Sequence, residues 1–132
     1  MKKIYALLFL LIATVSISCK KENTNQTENK LLTGNWQLVA VTGGLFVVSD
    51  VAAHSLKITE TTFERYVNNK LISSLPYTLS TGISPANNKP MRSFVFSGVN
   101  SIDTYFELAG NKLTIYNGAI ASDGTIEVFQ RQ

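Results

Sequence analysis

The feature that most constrains this chain is an alternation of apolar and polar residues in short runs, with turn-forming residues between the runs. In a strand, successive side chains point to opposite faces, so each run places its apolar residues on one side of a sheet. The clearest runs contain Trp36-Leu38-Ala40, Leu56-Ile58, Phe63-Val67, Phe94-Phe96, Leu113-Ile115 and Ile126-Val128. The turns are expected at Asn68-Asn69, Gly110-Asn111 and Asp123-Gly124. No segment has a sustained helical period, so the sequence predicts about eight short antiparallel strands.

Eight short antiparallel strands fit either a closed up-and-down barrel or a two-sheet sandwich. Closure removes the exposed strand edges that otherwise favour aggregation. We therefore predict an all-β fold, a small antiparallel up-and-down barrel of about eight strands. Residues 81–90 are rich in Gly, Pro, Asn and Ser, and we expect the longest loop there. Pro76 indicates a strand edge or a bulge, and residues 51–55 could form one helical turn.

The N-terminus has the three-part order of an export signal. Lys2 and Lys3 precede a nearly continuous apolar run over residues 4–15, which is shorter than the roughly 20 residues that cross a bilayer. Small residues then lead into Cys19, the only cysteine, which cannot form an internal disulfide. This arrangement resembles the lipobox of bacterial lipoproteins, in which the cysteine is acylated after cleavage. We predict a signal peptide over residues 1–18 and lipidation at Cys19, with cleavage elsewhere as the alternative.

Residues 20–30 contain no aliphatic or aromatic side chain, so they bury too little apolar surface to fold alone. We interpret residues 19–30 as a lipidated cysteine and flexible tether, and residues 31–132 as one domain. Lys20-Lys21-Glu22 resembles lipoproteins of the Bacteroidetes type. That resemblance implies a lipid-anchored protein of the cell envelope, in the outer membrane, on its periplasmic face or at the cell surface.

The formal charge of +3 comes from the leader and the tether. From residue 31 onward, seven basic residues balance seven acidic ones. A neutral domain has no electrostatic basis for binding nucleic acid, so we predict that nucleic acid is not a partner.

Gly34-Asn35-Trp36, at the start of the first strand, matches the Gly-x-Trp signature of lipocalins. The stretch over residues 31–38 is similar to the start of lipocalin-like domain lipoproteins of the Bacteroidetes type. Those domains also end in a β-strand followed by arginine, as residues 127–131 do here. The resemblance implies that Trp36 closes the barrel base and that Arg131 packs over it as a cation–π pair.

Catalytic and metal sites are not predicted. His54 is the only histidine, and Cys19 supplies the only thiol, whereas a zinc site needs three or four such ligands. A hydrolytic triad needs a base beside its nucleophile, and no such pairing is evident. We therefore expect no enzyme activity, no metal and no cofactor.

Two arginines are candidates for a ligand site. Arg65 shares face parity with Phe63, and Arg92 shares it with Phe94 and Phe96. If these phenylalanines point inward, both arginines do so too, and a carboxylate-headed ligand could pair with them, aided by the Tyr77 hydroxyl. The alternative is that both arginines extend to the rim and that the aromatic residues fill the core.

The predicted function is therefore the binding of a small apolar or amphipathic molecule, or a hydrophobic carboxylate-headed one, by a membrane-tethered lipocalin-like barrel. The alternative is a protein-interaction module with a filled core and no ligand cavity, such as an envelope inhibitor or an accessory subunit. A solvent-open cavity of a few hundred Å³ would favour the first. A filled core with an exposed apolar patch at residues 45–48 would favour the second.

Overall fold

The computed structural model describes residues 24–44, 50–98, 104–118 and 123–132. Within these residues, eight antiparallel strands form one closed up-and-down barrel, as the alternation predicted. The strands are β1 (Gly34–Gly43), β2 (His54–Ile58), β3 (Thr62–Val67), β4 (Lys70–Ser84), β5 (Lys89–Phe96), β6 (Thr104–Ala109), β7 (Lys112–Asn117) and β8 (Thr125–Arg131). A 3₁₀ turn, η1 (Val51–Ala53), precedes β2, where one helical turn was expected.

Each strand pairs with its neighbours in sequence, and β1 pairs with β8 to close the wall. Trp36 lies opposite Leu56 on β2 and opposite Arg131 on β8. The register shifts between Leu38 and Ala40 at this closing pair, which indicates a bulge. Closure leaves no free strand edge between β1 and β8, so the predicted fold class is confirmed.

Several turns agree with the sequence and one differs from it. Asn68 and Asn69 both have positive φ, at 51° and 61°, as a tight hairpin requires. Residues 81–90 do not form a long loop, because β4 continues to Ser84 and β5 begins at Lys89, leaving a four-residue turn. The apolar residues 45–48 lie outside the described residues.

The inward faces of the strands form the core. Its most deeply buried members are Leu32, Trp36, Leu38, Leu56, Ile58, Phe63, Phe94, Phe106, Leu113, Ile115 and Phe129. Tyr77 of β4 also belongs to this cluster, so every strand contributes to it. In most strands the apolar positions of the period-two pattern therefore face the barrel interior.

A helix, α1 (Thr24–Leu32), precedes β1. It lies largely within residues 19–30, so the structure differs from the flexible tether predicted there over residues 24–30. The physical reason is contact with the barrel, since Leu32 is fully buried and Asn29 donates to the Glu60 carbonyl at 3.3 Å. A polar segment that cannot fold alone is helical once the barrel holds it. The proposed signal peptide and Cys19 lie outside the described residues.

Among the residues that the structure describes, no helix has the length and apolar character to cross a membrane.

Candidate functional site

The base of the barrel, which we define as the end where α1 leads into β1, contains Trp36 and Arg131. The Arg131 guanidinium carbon lies 4.1 Å from the centroid of the Trp36 ring. This is the cation–π contact that the lipocalin resemblance implied. Trp36 is fully buried, so the contact forms part of the core.

Both side chains also bind the backbone that ends α1. The Trp36 indole N–H donates to the Leu32 carbonyl at 2.9 Å. Arg131 donates through Nη1 to the Thr33 carbonyl at 2.7 Å and through Nη2 to the Leu31 carbonyl. Carbonyls at a helix C-terminus lack intrahelical partners and carry partial negative charge, so a cation is favourable there. The base is thus a closed structural joint.

Gly34 is part of this joint. Its φ is +148°, and a Cβ built on it would lie 2.5 Å from Arg131 Nη1. Both the backbone conformation and the space therefore require glycine. This is the physical reason for the first residue of the Gly34-Asn35-Trp36 signature.

The mouth of the barrel, which we define by the cavity around Arg65 and Glu127, has a different character. The cavity has a volume of about 260 Å³ and contacts β1, β2, β3, β4 and β8. Its lining residues are Leu38, His54, Ser55, Leu56, Arg65, Tyr66, Val67, Ile72, Glu127 and Phe129. The lining surface is more apolar than polar, and its polar groups are those of His54, Ser55, Tyr66 and the ion pair of Arg65 with Glu127.

Arg65 and Glu127 form a bidentate ion pair. The two hydrogen bonds are 3.2 Å (Nη1 to Oε1) and 2.9 Å (Nη2 to Oε2). β1 and β2 separate these residues around the wall, so the pair spans the interior. Asn117 adds a hydrogen bond to Glu127 Oε2 at 3.2 Å. The side chains are 35% and 16% exposed, so the guanidinium still reaches solvent while its inner side is paired.

Arg92 does not join Arg65. Its Nε donates to Glu28 Oε2 of α1 at 2.6 Å, and its Nη1 donates to Thr81 Oγ1 at 2.9 Å. The inward parity predicted for Arg65 is confirmed, because Arg65 lies opposite the buried Leu56. A single site containing both arginines is wrong, since each is bound to a different carboxylate.

Tyr77 is also away from the mouth. Its hydroxyl donates to the Thr59 carbonyl at 2.8 Å, in the turn between β2 and β3. Burial, with a smaller contribution from the Glu60 carboxylate, raises the pKa of Tyr77 to about 12. The hydroxyl therefore stays protonated and structural, and it does not face the cavity at Arg65.

The predicted aromatic lining residues fill the interior. Phe94 lies 5.1 Å from Phe63, 5.2 Å from Tyr77 and 4.4 Å from Phe106, between ring centroids. Phe96 lies 5.4 Å from Phe63 and is only partly buried. Edge-on packing of this kind is typical of a filled core. Below the mouth, the cluster takes the space that a deep ligand cavity would need.

Sequence reasoning missed Glu127, the partner of Arg65. The alternation in the sequence predicts Ile126 and Val128 as the inward, apolar face of β8, which puts Glu127 outside. In the structure Phe129 is buried, and Glu127 shares its parity and lies opposite the buried Ile115. The parity of Phe129 and Arg131 was the signal that could have placed Glu127 inside.

The described residues contain no group of three or more His, Cys, Asp or Glu side chains positioned to hold a metal ion. In comparisons with known proteins, no protein family, no curated protein and no solved structure matches the chain significantly.

Proposed function

We propose that this chain is a lipocalin-like lipoprotein, tethered to a membrane of the cell envelope through Cys19, whose barrel binds a small amphipathic molecule at its mouth. One observation carries the proposal: an inward-facing ion pair borders a cavity whose lining surface is more apolar than polar. Taking two charges partly out of water costs free energy that their mutual attraction recovers poorly, which favours a functional role for the pair.

The cavity sets the size of the ligand. Its volume of about 260 Å³ lies just below the roughly 300–1,000 Å³ of ordinary small-molecule sites. Because the aromatic cluster fills the interior below it, a long acyl chain has no room. The ligand is therefore compact, with its apolar part against Leu38, Leu56 and Phe129.

The ion pair sets the polar chemistry. Glu127 already occupies one bidentate face of Arg65, but a guanidinium carries five N–H donors and some remain available. A ligand oxygen that accepts from these donors can bind while Glu127 stays in place. This favours a carboxylate, phosphate or carbonyl group at the polar end of the ligand.

Native mass spectrometry of the full-length product, extracted from a bacterial host in mild detergent, tests this site. We expect a bound small molecule that is lost in Arg65→Ala and retained in Arg92→Ala. Arg92→Ala is a matched control, because it also removes a half-buried, ion-paired arginine. Val67→Phe, a variant of a different kind, should fill the cavity and exclude the ligand while leaving the ion pair intact.

Retention of the molecule by both Arg65→Ala and Val67→Phe would contradict the mouth as the binding site. Absence of any bound molecule from the wild-type protein, together with no chemical-shift change on adding small amphipathic acids, would contradict ligand binding itself.

The tether is tested separately. Cys19→Ser should abolish incorporation of radiolabelled palmitate. Incorporation that persists in Cys19→Ser would contradict lipidation at this residue, whatever the barrel binds.

A protein-interaction module is the second candidate, and the filled aromatic interior favours it. β4 also exposes Leu71 and Ile72, which are 49% and 59% exposed. Leu71→Ser should then weaken a partner's binding without affecting a ligand in the mouth, because Leu71 does not line the cavity. Unchanged partner binding in that variant would contradict a contact through this part of β4.

A further inference from the structure

A second, larger cavity opens at the base. It has a volume of about 480 Å³ and lies between the end of α1 and the β6–β7 turn. Its lining residues are Lys30, Leu31, Leu108, Gly110, Asn111 and Arg131. We call it the base cleft. The proposed ligand site at the mouth does not involve it, since the two share no residue.

The base cleft is positively charged. Lys30 and Arg131 line it, and no carboxylate does among the described residues. The Lys30 side chain is exposed and makes no ion pair within the described part of the chain. Lys112, also exposed, follows Asn111 directly. The domain as a whole is neutral, so this is a local concentration of charge and not a general basic surface.

An exposed leucine adjoins these charges. Leu31 is 57% exposed, although its neighbour Leu32 is fully buried. An apolar side chain beside lysine is typical of surfaces that bind the interface of a lipid bilayer. There the apolar group enters the acyl boundary and the cations contact phosphate groups.

The path of the chain brings the base cleft close to the proposed anchor. Five residue steps separate Cys19 from Thr24 and span at most about 17 Å when fully extended. The nine residues of α1 add about 13 Å. A lipid on Cys19 would therefore hold α1 and the base cleft within about 30 Å of the bilayer.

We propose that the base cleft binds the phosphate head groups of membrane phospholipids and seats the barrel with its base on the bilayer and its mouth facing away. The occupant is a lipid surface, identified by the charge of Lys30 and Arg131, by the exposed Leu31 and by the position of the tether. The proposal deepens the proposed function, since it rests on Cys19 as the anchor.

Vesicle sedimentation with the chain from residue 19 to residue 132, carrying Cys19→Ser so that no acyl chain contributes, tests this surface. We expect binding to phosphatidylglycerol vesicles and little binding to pure phosphatidylcholine. Each cation near an anionic surface contributes about fivefold in affinity, so Lys30→Glu should weaken binding by about tenfold or more. Lys70→Glu, the same charge change at the mouth, is the matched control and should change it less than twofold.

Leu31→Ser provides a second variant that leaves the charge untouched, and it should also weaken binding. Circular dichroism of each variant checks that the barrel is folded. Equal losses in Lys30→Glu and Lys70→Glu, or no binding to phosphatidylglycerol, would overturn the proposal. So would binding of inorganic phosphate to the base cleft with no binding to vesicles, since the site would then belong to a free anion.

These outcomes are independent of the proposed function. The Cys19→Ser chain carries no lipid, so failed acylation in cells leaves the vesicle result unaffected. A mouth without a ligand leaves it unaffected too, because Lys30 and Leu31 do not line the mouth.

Discussion

The base and the mouth of this barrel each contain an inward-facing arginine, and the two arginines have different partners. Arg131 stacks on the buried Trp36 and donates to backbone carbonyls at the end of α1. Arg65 pairs with the Glu127 carboxylate and faces a cavity of about 260 Å³. The carbonyl partners of Arg131 belong to the chain itself, and no other molecule can replace them. The Arg65 side chain is 35% exposed and can bind a further partner.

The difference separates stability from binding. Trp36 at the base is fully buried and Arg131 binds backbone carbonyls, so removal of either leaves a cavity or unsatisfied carbonyls. Groups at the mouth are partly solvated, so water can replace what is removed. We therefore expect substitutions at the base to lower the free energy of unfolding and substitutions at the mouth to alter ligand binding.

Trp36→Ala should have the largest effect. It removes a fully buried ring, the cation–π contact with Arg131 and the hydrogen bond to Leu32. Such truncations cost about 3–5 kcal/mol in the free energy of unfolding, measured by urea denaturation followed by circular dichroism. Val67→Ala at the mouth is the comparison and should cost about 1 kcal/mol. Equal costs at the two positions would remove the distinction between base and mouth.

Gly34→Ala should cost about 2–4 kcal/mol, because it combines an unfavourable φ with a Cβ placed 2.5 Å from Arg131 Nη1. Gly110→Ala is a matched control, since Gly110 also has positive φ but a Cβ there would meet nothing within 4 Å. It should cost about 1 kcal/mol, and the difference measures the crowding against Arg131 together with the greater backbone strain at φ +148°. Thermal unfolding of both variants gives the comparison. A smaller loss for Gly34→Ala than for Gly110→Ala would show that Arg131 moves aside freely.

Tyr77 should make stability depend on pH in the alkaline range. Its pKa in the folded state is about 12, above the ordinary value of 10, so the folded state retains the phenolic proton longer than the unfolded state. The resulting stability is complete below about pH 10 and is lost as the pH rises towards 12, on the order of 2 kcal/mol. Urea denaturation of the wild type and of Tyr77→Phe at pH 8 and pH 11 measures it. The variant should lose less stability than the wild type over this interval, and equal losses would contradict the assignment to Tyr77.

Glu127→Gln should have the smallest effect on stability, below about 1 kcal/mol, because the Arg65 side chain can be solvated in place of its partner. The same variant should alter ligand affinity at the mouth, which isothermal titration of the bound molecule can follow. A loss above about 3 kcal/mol in urea denaturation would show instead that the ion pair is a structural element like the base.

The alternation of apolar and polar residues predicted most of the fold. Of the ion pair at the mouth, it indicated only Arg65. It placed Arg65 inward beside Phe63, because local parity depends only on neighbours in sequence. It could not identify the pairing of Arg65 with Glu127, since that contact crosses the interior between strands that β1 and β2 separate. Such a contact depends on closure and on the stagger of the strands, neither of which is local information.

The helix shows a second limit of the sequence. α1 has a polar composition, which predicts little independent stability. Its helical form comes from the barrel, through the buried Leu32 and the ion pair between Glu28 and Arg92. Partners of this kind lie 64 residues apart, so no local pattern could reveal them. The Trp36–Arg131 contact was expected only because the resemblance to lipocalins implied it.

The pairing of β1 with β8 also determines the order in which the molecule can be completed. Arg131 donates to Thr33 across 98 residues, so the wall and the joint at the base close together. During synthesis from the N-terminus, one edge of β1 therefore stays without its native neighbour until β8 has been made. Long-range pairings of this kind slow folding and expose nascent strands to association with other chains. The barrel can therefore close only after β8 has been made, and the nascent chain has an unpaired strand edge until then.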